Sequence, residues 1–351
     1  NTDVASIIRS STINNAGSIT NTADKSGALV AAGLGMTVEK GGAGGGNNYG
    51  GVASVSVNIA ENDIYAVMQD NKVNNAENTE KTVLTNYAYD NDVQVTGGIN
   101  GSIALGGQQG VSVGGTVTYA ELTNNVQSAI VGGTYNNMGT VDISAVTDIT
   151  QVGAAVGVAA ATGTEKNYGI DGVAAYNLLN NNADAVIDGA TITADKVNAA
   201  AYDTNLGENK HTEYINQRGL DATGTTYLEN IKDTSEDLYE KNADGELVLK
   251  VGQTGNTIVT GALGITATGG NGGGSGSAAI SISDINNDFN ASIKNSNIKT
   301  NGLAAEGADE VADVNVHAKS DTLLVNIAAG GAGASQNSFA GAGSFGWSTV
   351  N

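Results

Sequence analysis

Asp63-Ile-Tyr-Ala-Val-Met-Gln-Asp-Asn-Lys-Val73 is the stretch whose reading decides the fold, because it returns. Copies of the same length stand at Asp3–Ile13, Asn125–Tyr135, Asn182–Ile192 and Asp288–Ile298. Each opens on Asp or Asn, carries a hydrophobic residue soon after a small one, and closes on Val, Ile or Tyr. The start-to-start spacings are 60, 62, 57 and 106 residues. Three near-equal periods and one long one describe a repeat array with a single insertion, and a fixed period outranks composition in deciding a fold.

Two further patterns follow the block in each period. One reads Gly27-Ala-Leu-Val-Ala-Ala-Gly-Leu-Gly35 and returns at Asp92–Gly101, Asp148–Gly157, Asn256–Gly264 and Asp321–Gly330. The other, after a glycine-rich connection, reads Val52-Ala-Ser-Val-Ser-Val-Asn58 and returns at Val111–Thr118 and Ser277–Ser283. Alternation with a period of two, as in Val141, Ile143 and Ala145 against Asp142 and Ser144, marks strands. Three strand-bearing segments per period predict three coils of about 20 residues each, and roughly 15 coils at about 4.8 Å would extend on the order of 70 Å. The expected fold is all-β: a right-handed parallel β-helix, or solenoid, of about 60-residue repeats with one inserted loop or subdomain. The chain divides into repeats over 1–204, a charged insertion over 205–250, and repeats again over 251–351. Its ends fall inside repeats, so it reads as a piece cut from a longer array.

Composition agrees. The 351 residues include 50 Gly but no Pro and no Cys, and the formal net charge is −21. Proline cannot donate to a β-ladder, and in a solenoid almost every strand has neighbours on both sides. Without cysteine there are no disulfides, thiolate metal sites or cysteine nucleophiles. A charge of −21 disfavours nucleic acid and anionic lipid, which are held by Lys/Arg clusters. No apolar run reaches the roughly 18 residues of a membrane helix, so stable membrane insertion is not expected. Asn and Gly at the corners suit positive φ.

Chemistry is sparse. A β-helix polysaccharide hydrolase needs paired carboxylates with supporting basic groups. The chain has two histidines, His211 and His317, and no Asp-Asp pair. Asn1-Thr-Asp3 matches a short hydrolase signature without its companions, and Val314-Asn-Val-His-Ala318 reads as a strand with a solvated or corner histidine. Gly341-Ala-Gly-Ser-Phe-Gly346 has nucleotide-loop spacing but leads into no helix, and neither Gly41–Gly51 nor Gly269–Gly276 supplies the Asp of a calcium nonapeptide. The opening Asp or Asn of each block reads as a turn residue. With three coils per period, successive copies would lie about 14 Å apart, too far to share a ligand. No catalytic residue, cofactor or metal is therefore expected.

Fifteen charged residues crowd Asn205–Lys250. Thr225–Lys241 could form a short helix, and Glu240–Leu249 reads as a hairpin turning on Asp244-Gly245. Tyr214, Tyr227 and Tyr239, with His211 and Arg218, are the candidate partner-binding residues, since tyrosine gives stiff contact area with a polar tip. The competing reading makes these tyrosines the insertion's own small core. Tyr49, Tyr87 and Tyr89 read as packing a coil edge.

The cadence at Val52–Val73 and Ala278–Ile298, with Ser54-Val-Ser-Val-Asn58 leading into Asn62-Asp-Ile64, resembles the repeats of very large bacterial surface exoproteins. These are the filamentous-haemagglutinin-like and leukotoxin-like passengers exported by type V routes. The resemblance covers most of the chain outside Asn205–Lys250 and carries over no functional residue. It implies an adhesin segment at the bacterial cell surface or outside the cell, a monomeric stalk that displays or mediates attachment to a host or bacterial surface protein or glycan. A carbohydrate-active β-helix enzyme, a leukotoxin-like virulence factor and a structural spacer are the alternatives.

Overall fold

The computed structural model describes residues 1–41, 45–76, 81–203, 255–300 and 314–351, together with the backbone of two short strands between 239 and 249. These residues form strands and turns, with no helix among them. Six strands make a first sheet: β1 (Thr2–Arg9), β4 (Asn48–Gln69), β7 (Gly110–Val131), β9 (Asn167–Asp188), β14 (Gly273–Lys294) and β18 (Ser338–Val350), in that spatial order. The second sheet holds β2 (Thr12–Asn14), β3 (Ser18–Lys40), β5 (Lys72–Asn74), β6 (Thr82–Leu105) and β8 (Thr134–Thr162). It continues through β10 (Thr191–Asp203), β13 (Thr257–Gly269), β15 (Asn297–Thr300), β16 (Val314–Lys319) and β17 (Leu323–Ala334). Every pairing in both sheets is parallel. The all-β parallel solenoid is therefore present.

Its coil is longer than the sequence suggested. Asp3 pairs with Asp63, Asp63 with Asn125, Asn125 with Asn182 and Asn182 with Asp288. At the block's other end Ile13 pairs with Val73, Val73 with Tyr135, Tyr135 with Ile192 and Ile192 with Ile298. One period is thus one turn of the solenoid, not three. The three strand-bearing segments are sides of a single coil: Val52–Asn58 and the start of the block lie on β4, and Asp92–Gly101 lies on β6. With about five steps of roughly 4.8 Å, the array rises on the order of 25 Å instead of 70.

The block makes the corner between the sheets. Ser10, Asp70, Gly132, Gly189 and Asn295 occupy successive copies of one turn position, and all have positive φ, from 49° to 69°. Gly, Asn and Asp enter this region at least cost, which explains the residue choice at the corner. Behind it lies the main apolar core, in which Ile64, Met68, Leu84, Tyr135, Met138, Ile143 and Ile187 are fully buried.

The opening Asp or Asn of each block is not a turn residue. It sits mid-strand and stacks on its copy in the next coil, with Asn125 Nδ2 donating to Asp63 Oδ1 at 2.8 Å. One residue earlier and facing inward, Asn62 donates to Asn124 Oδ1 at 3.1 Å and Asn124 to Asn181 Oδ1 at 3.3 Å. Such ladders satisfy buried amides that apolar neighbours would leave unpaired.

Away from the corner the interior changes character. Ser54, Ser56, Asn58, Ser112, Thr116 and Asn177 point inward and are buried. All but Ser54 bond backbone carbonyls of the opposite sheet, among them Ser56 Oγ to Gly97 at 2.6 Å, Ser112 Oγ to Ser102 at 2.6 Å and Asn177 Nδ2 to Val259 at 3.0 Å. The sheets approach too closely here for larger contents. A Cβ at Gly33 would stand 2.6 Å from Ser54 Oγ, and one at Gly98 would stand 2.5 Å from a Thr116 carbon.

β8 runs unbroken beneath β10 and β13, pairing Thr147 with Asp203 and Thr150 with Thr257. The chain therefore leaves and re-enters one rung within a few residues' reach. Tyr239–Lys241 (β11) and Leu247–Leu249 (β12) pair antiparallel, Tyr239 with Leu249 and Lys241 with Leu247, as the hairpin reading requires. Strand at Tyr239–Lys241 corrects the end of the expected helix; Thr225–Leu238 lies outside the described residues. Because loop length enters closure entropy only logarithmically, joining Asp203 directly to Gly255 should retain the β-sheet circular dichroism signal and a single cooperative melt. Loss of both would mean that 204–254 is needed to form the rung.

Candidate functional site: the apolar outer faces

A strand that turns Ser54, Ser56 and Asn58 inward must turn Val55, Val57 and Ile59 outward, and these are 66, 53 and 62% exposed. The parallel register repeats the arrangement coil by coil. Val57 aligns with Tyr119, Tyr176, Ile282 and Trp347, and Val55 with Val117, Ala174, Ile280 and Phe345. The second sheet does likewise: Val30, Val95, Val152, Val259 and Val325 form one outer row, and Leu34, Ile99, Val156, Leu263 and Ala329 another. Contiguous apolar area of this kind on a chain of net charge −21 makes these faces the candidate site.

Aromatic side chains concentrate on the first sheet. Tyr119 and Tyr176 stack with ring centroids 5.3 Å apart and planes 2° from parallel, and Phe345 and Trp347 lie 6.3 Å apart. The Tyr119 hydroxyl donates to Glu121 Oε2 at 2.6 Å. That hydrogen bond, with partial burial and the Glu121 charge, pushes its pKa up to about 12. Tyr168, Ile170 and Phe339 wall a groove of about 560 Å³. The groove is floored by Gly274, Gly276 and Gly341, and the Phe339 ring lies against Gly274, leaving no room for a Cβ there.

Asp171 also lines the groove. Its Oδ1 accepts from Asn100 Nδ2 at 3.3 Å, while its Oδ2 is buried without a hydrogen-bond partner. Burial raises its pKa, with Asn100 and the Gly172 backbone pulling the other way.

A second polar cluster lies inside the solenoid, where the first and second coils meet. Lys25 Nζ stands 3.3 Å from Asp90 Oδ1 and pairs with Asp92 Oδ1. Asn62 Nδ2 donates to Asp92 Oδ2 at 2.6 Å and to Asp90 Oδ2 at 3.3 Å. Burial, then the Asp92 charge, raises the Asp90 pKa against the pull of Lys25. This cluster escaped the sequence reading because its members lie far apart in the chain. The available signal was Lys25 in the small and polar run Asn21–Gly27, one period before an Asp-Asn-Asp run.

Among the residues proposed for partner binding, Tyr214, Tyr227, His211 and Arg218 lie outside the described residues. Tyr239 is placed only by its backbone in β11. Of the other tyrosines, Tyr49 is 64% exposed, whereas Tyr87 and Tyr89 are buried with Val146 and Tyr202, on the face of β6 opposite Leu84 and Ala88. His317 is an exposed strand residue. Among the described residues no three His, Cys, Asp or Glu side chains are grouped so as to hold a metal ion. Comparison with known proteins finds no matching family model, no matching curated protein and no matching solved structure.

The raised Asp171 pKa has a thermodynamic consequence. The folded chain binds this proton more tightly than the unfolded chain does, so its contribution to stability is greatest at low pH. That contribution falls as pH rises from the ordinary carboxylate value of about 4 through the raised one. Asp171→Asn should flatten this part of the Tm–pH profile and raise Tm at pH 7. An unchanged slope and Tm would contradict the assignment. Asp184 and Asp203 shift in the same direction and for the same leading cause, so part of the slope should survive the substitution.

Proposed function

We propose that this chain is a cell-attachment segment: a β-solenoid of an adhesin-like bacterial exoprotein, displayed at the cell surface or released from it. It contacts an apolar patch on a surface protein of a host or neighbouring bacterial cell through the outer face of its first sheet. The observation that carries this reading is the stacking of Val57, Tyr119, Tyr176, Ile282 and Trp347 into one outward row. Interface centres are enriched in aromatic residues and depleted of charge. The net charge of −21 supports a neutral or basic partner over an acidic one. The repeat cadence supports the adhesin class, and the glycine-floored groove farther along the same sheet supplies the concave element that anchoring side chains favour.

The experiment is binding of labelled chain to cultured cells, with protease-treated and periodate-treated cells as separate arms. The triple variant Tyr119→Ser, Tyr176→Ser, Trp347→Ser should bind at least about tenfold more weakly, a loss of about 1.4 kcal/mol, with its circular dichroism unchanged. Protease treatment should abolish binding and periodate should not. A variant that binds as the parent does would remove the row from the interface, loss on periodate alone would make the partner a glycan, and no binding by the parent chain would leave a spacer.

A further inference from the structure

The Lys25–Asp90–Asp92 cluster has the components of an amide-forming site. The ladder places Lys25 directly opposite Asp90 and Gly27 directly opposite Asp92. A Cβ at Gly27 would stand 2.7 Å from Asp92 Oδ1 and 3.4 Å from Lys25 Nζ, so glycine keeps the lane between amine and carboxyl clear. The three charged side chains are nearly dry, with 10% of Lys25, none of Asp90 and 11% of Asp92 exposed. Asn62 holds the far oxygens of both carboxyls. Isolated buried charges are costly, and two carboxylates share one ammonium.

We propose that Lys25 and Asp92 condense to an intramolecular amide that staples the first coil to the second, with Asp90 carrying the proton. A proton passes from Lys25 Nζ to Asp90, leaving a neutral amine in contact with the Asp92 carboxyl. The Nζ lone pair attacks Asp92 Cγ, the new C–N bond forms, and the carbonyl electron pair moves onto Oδ2, where Asn62 Nδ2–H stabilises it. Asp90 delivers its proton, and then the second Nζ proton, to Oδ1. The tetrahedral carbon collapses, its bond to Oδ1 breaks, and Oδ1 leaves as water. One ammonium and one carboxylate become one secondary amide and one water, with Asp90 unchanged and no oxidant or reductant consumed. Positioning of this kind substitutes for activation of the carboxyl, because a pre-aligned pair reacts at an effective concentration of order 10⁵ M or more, and exclusion of solvent disfavours the reverse hydrolysis.

The arrangement occurs once among the described coils. In the next coil the positions of Asp90 and Asp92 are taken by Thr147 and Ile149.

The test is intact mass by electrospray of the folded, purified chain. The wild type should be lighter than its sequence mass by one water, and a tryptic digest should contain a branched peptide joining the Lys25 and Asp92 segments. Asp90→Asn and Asp90→Ala keep both reacting groups and should remain at full sequence mass while retaining the β-sheet signal. Asp92→Asn should be lighter by one ammonia, because an amide in place of the acid expels nitrogen. Lys25→Arg should remain at full mass; a water lost from that variant would assign the loss to another side chain and overturn the proposal. A folded wild type at full sequence mass would also overturn it, leaving an ion pair.

Discussion

The main-chain ladder between residues one period apart is the constraint on which the rest of this molecule depends. Parallel strands stacked in register force equivalent residues of successive coils into contact, so each position must be acceptable to its own copy. Asparagine meets asparagine at Asn62, Asn124 and Asn181, and a left-handed conformer meets another at every corner from Ser10 to Asn295. The eleven-residue block returns because it supplies three things at once: an inward apolar run, a corner residue tolerant of positive φ, and a restart of the second sheet. The same register turns single outward residues into continuous rows.

A second constraint divides each coil in two. Near the corner the sheets are far enough apart to hold Met68, Tyr135 and Met138, and the interior is apolar. Toward the other end the glycines bring the sheets together, and the gap is filled mainly by Ser, Thr, Asn and Gln, several of which bond the facing backbone, with a small apolar cluster of Ala155, Val173, Ala175, Ala262 and Ala279 among them. Alternation then leaves Val, Ile, Leu and aromatic side chains outside. Burial of apolar surface drives the fold at one end of the coil, while hydrogen bonding across the narrow gap holds the other. The exposed rows are the surface on which the proposed attachment rests. A large net negative charge offsets the tendency of such a surface to associate without specificity.

Much of this was legible in the sequence. The period, the all-β class and the parallel stacking follow from Asp63–Val73 and its copies, whereas the opening Asp or Asn of each copy, read as a turn residue, stands mid-strand and the turn falls seven residues later. The hairpin at Glu240–Leu249 follows from Asp244-Gly245 between residues that pair as strands. Three further things were not legible, for physical reasons. Periodicity along a strand does not say whether the next strand lies in the same coil or the next one, so three sides of a coil read as three coils. Alternation in Val52–Asn58 identifies two faces without saying which is inside; hydrophobicity alone would have buried Val55 and Val57, and steric crowding at Gly33 and Gly98 decided otherwise. The Lys25 cluster depends on pairing across 65 and 67 residues, which no local pattern encodes.

The most direct test of the account is a cysteine pair placed at Tyr65 and Gln127, outward residues that the ladder makes direct neighbours in a chain otherwise free of cysteine. One coil per period puts their Cα atoms about 5 Å apart, within disulfide range. Three coils per period would put them about 14 Å apart, beyond it. The account predicts that the Tyr65→Cys, Gln127→Cys variant oxidises in its folded, monomeric form to an intramolecular disulfide, read as loss of free thiol and a band of altered mobility without reductant. A folded double variant that keeps both thiols free under the same oxidation would contradict it.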